Sequence, residues 1–281
     1  MKKLCLIAGL PRSGSTLLCQ LLASNPDFHV TPTSGVIDIL RNIRSTFSHN
    51  PTWKAQDRIG IYENIRESLR GFLNGFFFNR NVVFDKSRGW TGNIALLDEI
   101  LKHSNTKIIW CYRNPVDIVM SIETQYRKTL LLENADESNG VAMNTTEQRM
   151  NAVINDGGIV AQPVFLLDDA IKMGYNDRIL IVKYGDLTTN PQAVLNQIHE
   201  FIEEPLNEYD TLNIKQHTKE YDGFYNHKFP HTVKEGSILR KVHNTENILS
   251  EDQISRINER FSWLNNFVFG TNKNTPTEEK K

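Results

Sequence analysis

Cysteine is scarce. Cys5, Cys19 and Cys111 are the three in 281 residues. The number is odd, the spacings fit no zinc framework, and each lies in an apolar stretch. That excludes a disulfide scaffold and predicts buried thiols in a reducing compartment. A surplus of either charge is also missing. Lys and Arg number 32 against 33 Asp and Glu, for a net charge of −1. Bulk electrostatics therefore favour no nucleic-acid partner, and any anion site must be built locally. Long hydrophobic runs are absent, and nothing approaches the roughly 20 apolar residues of a membrane span. The opening MKKLCLIAGL imitates a secretory leader, but its apolar run is short and PRSG interrupts it. A strand is expected there, and a cytoplasmic protein. Neither repeats nor a second-domain boundary are visible. One domain over 1–270 and a disordered polar tail over 271–281 are expected.

What is present is alternation. Leu4–Ala8 reads as a buried strand ending at Gly9, and Thr16–Ser24 is apolar at helical spacing. Val36–Phe78 is mostly helical, with Ile61, Ile65, Leu69 and Phe76 roughly along one face. Asn81–Ser87 reads as a strand running into a polar loop, and Ile94, Leu97 and Leu101 mark a helix face. Lys107–Tyr112 is another strand, followed by a helix with Asn114 as its cap and Pro115 at its first position. Residues 145–173 are helical in two pieces divided at Gly157-Gly158, with Pro163 near the second start. Ile179–Tyr184 is a fourth strand, and Asn190-Pro191 opens a helix through Phe201. Residues 205–249 have no period and read as a long functional loop. Ser250 to Gln253 is a capping box before a last helix. The pattern predicts an α/β domain, a central parallel sheet flanked by helices, with ligands at the strand carboxyl ends.

The first strand–helix junction carries GLPRSGST, Gly9 to Thr16. It is close to the nucleotide loop G-x-x-x-x-G-K-[ST], but Ser15 stands where the lysine belongs, and the nearby cation is Arg12. Backbone N–H groups of such a loop at a helix N-terminus cradle an anion. Ser13, Ser15 and Thr16 offer hydroxyl donors, and Arg12 offers a fork that matches an oxyanion. A kinase reading is supported by VVFDK, in which Asp85 imitates the carboxylate that holds Mg²⁺. Ser15 weighs against it.

PRSGST before an apolar helix resembles the 5′-phosphosulfate loop of sulfotransferases. RNPVDIVMS, with Arg113 and Ser121 eight apart, resembles that family's 3′-phosphate signature. The resemblance runs from Leu4 to about Trp263 and implies a P-loop-NTPase-like sulfotransferase fold. The donor it implies is 3′-phosphoadenosine 5′-phosphosulfate (PAPS), used without a metal, so the missing lysine is no defect. It implies that Pro11, Arg12, Ser13, Gly14, Ser15 and Thr16 hold the 5′ end, while Arg113 and Ser121 hold the 3′-phosphate. Lys86, in FDKSRGW, is implied as the catalytic cation beside Arg12, with Arg88 on substrate or donor. Tyr184, in KYGDL, is implied near the adenosine. Arg240 and Lys241 are implied to close over the 3′-phosphate, with Lys234 as the alternative.

The nearest branch includes protein-tyrosine sulfotransferases and many bacterial enzymes. Its glutamate base has no counterpart in VTPTSGVIDIL, and Arg88 replaces the histidine that phenol and steroid enzymes carry two residues after the lysine. The base candidates are Asp85, Asp38 and His29 in that order, with His227 and His231 more remote. Asp85 is equally readable as a structural partner. The acceptor pocket is expected between 31–80 and 205–240, with aromatic bulk from Phe72, Phe76, Phe77, Phe78, Phe224 and Tyr225. The resemblance implies an unidentified acceptor, a hydroxyl or amine on a small molecule, sugar or peptide. The competing readings are an ATP-Mg kinase and a non-catalytic nucleotide-binding protein.

Overall fold

A computed structural model describes residues 3–102, 106–128, 137–138, 141–225, 230–238 and 248–270. The order begins β1 (Lys3–Gly9), α1 (Ser15–Ala23), β2 (Phe28–Thr31), α2 (Val36–His49), α3 (Pro51–Lys54), α4 (Arg58–Phe76) and β3 (Val82–Lys86). It continues with α5 (Ile94–Leu101), β4 (Lys107–Tyr112), α6 (Pro115–Lys128), the short ribbon β5 (Glu137–Ser138) and β6 (Val141–Ala142), α7 (Thr146–Ile154) and α8 (Ala161–Lys172). It closes with β7 (Ile179–Lys183), α9 (Tyr184–Thr189), α10 (Pro191–Phe201), α11 (Glu251–Arg260) and α12 (Ser262–Gly270). Five strands form one parallel sheet in the order β2-β3-β1-β4-β7. The expected α/β architecture is therefore present.

Side-chain alternation along each strand builds two cores. Leu4, Leu6, Ala8, Val83, Ile108 and Trp110 face one layer, with α2, α4–α8, α11 and α12 packed on it. Cys5, Ile7, Val82, Phe84, Ile109 and Cys111 face the other, covered by α1, α9 and α10. All three cysteines are buried free thiols, and burial pushes Cys5 up to about 12 and Cys19 up to about 11.

Local chemistry explains most boundaries. Asn114 Oδ1 accepts from the Val116 N–H at 2.9 Å, capping α6 as its sequence predicts. Ser250 and Gln253 form the expected reciprocal cap of α11. Four details differ from the sequence reading. β2 is a four-residue edge strand with too little pattern to be seen. Tyr184 starts a short helix rather than ending a strand. The last helix breaks at Phe261 into two. Phe76 is exposed and Phe77 is buried instead, because α4 ends there and the chain turns inward. Among the described residues no helix is long and apolar enough to cross a membrane.

One buried ion cluster ties α6 to α7. Glu123 accepts from Arg149 Nε and Nη2, from Arg127 Nε, all at 2.8 Å, and from Thr146 Oγ1 at 2.9 Å. Burial alone would raise the Glu123 carboxyl, but these donors hold it at about 2, below its ordinary 4.5. A depressed folded value stabilises above the unfolded value and loses that contribution as pH falls from about 4.5 towards about 2. Glu123→Gln is expected to lower unfolding stability by about 3 kcal/mol at neutral pH, since it leaves buried guanidinium charge uncompensated. Urea unfolding between pH 7 and pH 3 checks this, and the variant's stability should fall less steeply with acid than the wild type's.

Candidate active site

The junction from β1 to α1 is built on backbone freedom. Gly9 has φ +117°, and a Cβ there would lie 2.3 Å from the Cys111 carbonyl oxygen. Only glycine allows β1 and β4 to meet so closely before the chain turns. The Leu10 N–H then donates to that same carbonyl at 2.9 Å. Arg12 adopts a left-handed φ of 57°, unusual for a side chain of its size. Gly14 follows at φ 88° as the N-cap of α1, and it supplies no side-chain cap. The first N–H groups of α1 therefore remain available to an anion. The Ser13 hydroxyl is buried and donates to the Leu10 carbonyl at 2.5 Å. It braces the loop, and its expected use as a ligand donor would require it to release that carbonyl. Ser15 and Thr16 are half-buried at the loop's far end, as is Pro11 near its start.

The second motif comes to the first. Arg113, at the end of β4, donates from Nη1 to the Arg12 carbonyl at 3.1 Å. Arg12 Nε donates to Ser121 Oγ, two turns into α6, at 3.4 Å. The Arg113 guanidinium lies 4.5 Å from the centroid of the Tyr184 ring. Tyr184 in turn packs so tightly on Gly14 that a Cβ there would meet its ring at 2.8 Å. Arg12, Arg113, Ser121 and Tyr184 thus converge on one loop. Burial, and then the neighbouring Arg113 charge, pull the Arg12 guanidinium below its ordinary value. Two crowded cations, an uncapped helix start and a hydroxyl make a set that fits a phosphorylated, multiply charged ligand.

Lys86 ends β3 on the α1 side of the sheet. Its Nζ lies 3.0 Å from Glu220 Oε1, and the side chain is largely covered. Its backbone is pinned by the Ser34 N–H, which donates to its carbonyl at 3.0 Å. Asp85 points the opposite way. It is wholly buried, accepting from Thr31 Oγ1 at 2.7 Å and Trp90 Nε1 at 2.8 Å. Burial raises its carboxyl. A carboxylate enclosed in this way braces the turn after β3, and its enclosure weighs against its expected role as base.

The other candidates scatter. Asp38 is exposed in the first turn of α2. His29 lies on the edge strand, level with Val83, its ring centroid 6.4 Å from that of Phe77. Arg88 and Lys234 are exposed. His227, Arg240 and Lys241 lie outside the described residues, as do the side chains of Phe224 and Tyr225. Sequence reasoning missed Glu220, whose aperiodic surroundings carry no signal. It also missed Gln20, which did leave one: a polar residue inside the apolar run TLLCQLL. Among the described residues no group of His, Cys, Asp and Glu gathers as a metal site.

Comparison with known proteins agrees with the fold. The solved structure of the sulfotransferase domain from the curacin biosynthetic pathway superposes with a TM-score of 0.54 at 18% identity, covering 93% of this chain and 98% of that one. Sulfotransferase STF9 from Mycobacterium avium gives 0.53 at 14% identity, covering 95% of this chain and 76% of that one. Mouse sulfotransferase SULT7A1, complexed with PAP, gives 0.52 at 18% identity, covering 93% and 83%. At these identities the likeness is one of fold. No curated protein sequence matches the chain significantly. The sequence model of the family described as "Sulfotransferase domain" matches residues 2–263, nearly the whole length, and the chain belongs to that family.

Proposed function

We propose that the protein transfers the sulfonate of PAPS to a hydroxyl or amine of an acceptor. The observation that carries this reading is the convergence of Arg12, Arg113 and Ser121 on the uncapped start of α1. PAPS supplies an activated sulfonate on its 5′-phosphate. The amides of residues 11–16 and Arg12 hold the 5′ end. Arg113 and Ser121 hold the 3′-phosphate and so distinguish the donor from ATP. Tyr184 covers the nucleoside side of the loop. Lys86 neutralises charge at the leaving oxygen, where a fixed cation lowers the barrier most. The mouse relative's complex with PAP agrees with this choice of nucleotide.

The kinase reading loses its main support. It needs Asp85 to face the cleft and hold Mg²⁺, whereas Asp85 is sealed against Thr31 and Trp90 on the other face of the sheet from Lys86.

The test is a calorimetric titration without magnesium, with 3′-phosphoadenosine 5′-phosphate (PAP) compared against ATP. PAP is expected to bind at least about tenfold more tightly, since one charge-assisted contact set is worth more than about 1.4 kcal/mol. A preference for ATP that appears only with Mg²⁺ would return the loop to the kinases.

A further inference from the structure

We propose, resting on the sulfotransferase reading, that Glu220 is the general base, supplied from the aperiodic segment after α10 rather than from the first half of the chain. Its carboxylate is nearly buried, 7% exposed, and bridges two nitrogens. Oε1 lies 3.0 Å from Lys86 Nζ, and Oε2 lies 3.4 Å from His231 Nδ1. Among the described residues no other carboxylate pairs with Lys86.

The placement is held from several sides. Gln20 of α1 is buried, and its amide is fully used. Its oxygen accepts from the N–H groups of His217 and Thr218 at 2.7 and 2.8 Å. Its nitrogen donates to the Thr218 carbonyl and hydroxyl at 3.1 and 2.8 Å. Ile214 and Gly236 exchange backbone hydrogen bonds across the segment at 2.9 and 3.1 Å. Gln216 Oε1 accepts from the Val233 N–H at 2.9 Å. Asp222 accepts from the His231 backbone N–H at 3.0 Å and from its Nδ1–H at 2.8 Å. Asp222 and His231 are thus positioning residues: Asp222 takes the Nδ1–H and fixes the ring, whose Nδ1 also lies 3.4 Å from Glu220 Oε2.

The chemistry follows from adjacency. Lys86 stands where sulfonate charge develops, so an attacking acceptor atom arrives within reach of whatever lies against Lys86. Geometry is the first requirement of a base, and Glu220 meets it. The acceptor oxygen forms the new O–S bond while its proton passes to Glu220. The S–O bond to the 5′-phosphate breaks, and its electron pair stays on the phosphate oxygen, leaving PAP. The ammonium of Lys86 offsets the repulsion between the Glu220 carboxylate and the sulfonate.

The test separates binding from turnover. PAP affinity is measured by calorimetry. Turnover is measured with PAPS and 4-nitrophenol, and with PAPS alone as release of sulfate to water. Glu220→Gln is expected to bind PAP within about threefold of the wild type and to lose about 100-fold or more in turnover. Glu220→Asp, which keeps the charge but withdraws it by one methylene, is expected to retain more activity than E220Q. Added formate is expected to restore part of the rate of Glu220→Ala. An E220Q rate within threefold of wild type overturns the assignment, and so does a loss of PAP affinity that matches the loss of rate. Wild-type protein that binds PAP but moves sulfonate to neither acceptor also overturns it, because a base set on Lys86 activates water. Failure of the wild type to bind PAP sinks the sulfotransferase reading instead.

Discussion

Lys86→Ala is expected to lower turnover by about 100- to 1000-fold, the effect of removing one preorganised charge from a transition state. PAP affinity should change far less, by under about fivefold, because the developing charge exists only during transfer. The asymmetry is the informative part. Lys86 leaves β3 beside the glycine loop, and its backbone is held by Ser34 independently of its side chain. The alanine variant therefore keeps the loop in place, while it removes the ammonium and leaves the Glu220 carboxylate without its 3.0 Å partner. Single-turnover rates set against PAP titrations check the result. Equal losses in both would make Lys86 a binding residue, and an unchanged rate would remove it from the mechanism.

Arg113→Ala is expected to weaken PAP by about 30- to 100-fold, the 2–3 kcal/mol of a charge-assisted contact to phosphate. AMP, which has no 3′-phosphate, should be affected much less. The control matters because Arg113 does two things at once. On the proposed reading it offers its fork to the 3′-phosphate, and it also supports the loop through the Arg12 carbonyl and the Tyr184 ring. If loop support dominates, both nucleotides weaken alike. If 3′-phosphate recognition dominates, only PAP does. Arg113→Lys keeps the charge but loses the planar fork, and should fall between wild type and alanine.

Local patterns were legible in the sequence where chemistry is written in neighbouring residues. The glycine loop, the Asn114 cap, the Ser250 capping box and the four core strands are all short-range signals, and all are present in the structure. The donor side of the candidate site shares this property, because each of its motifs sits at a strand end that the parallel sheet aligns. The acid–base side does not. Asp85 follows its strand in sequence as Lys86 does, but a pleated strand sends consecutive side chains to opposite faces. That parity, which was readable, separates the two. Glu220 was not readable, because its position depends on Gln20, some 200 residues earlier, and on side-chain hydrogen bonds that leave no periodic trace. The bond that Ser13 makes was unreadable for a similar reason. A hydroxyl in a phosphate-type loop looks like a donor to ligand, whereas here a carbonyl three residues back captures it.

The Gln20 clamp bears on how the catalytic cycle can proceed in time. Four hydrogen bonds join the segment around Thr218 to the first helix. Releasing them in a buried setting costs about 0.5–1.5 kcal/mol each even after water replaces them. A segment so attached is expected to stand as a wall of the site for most of the cycle, opening only at that cost. Substrates are therefore expected to enter, and products to leave, along a path that leaves His217 and Thr218 in place on the first helix. The rate of that exchange is then set by chain elements other than the one that carries Glu220.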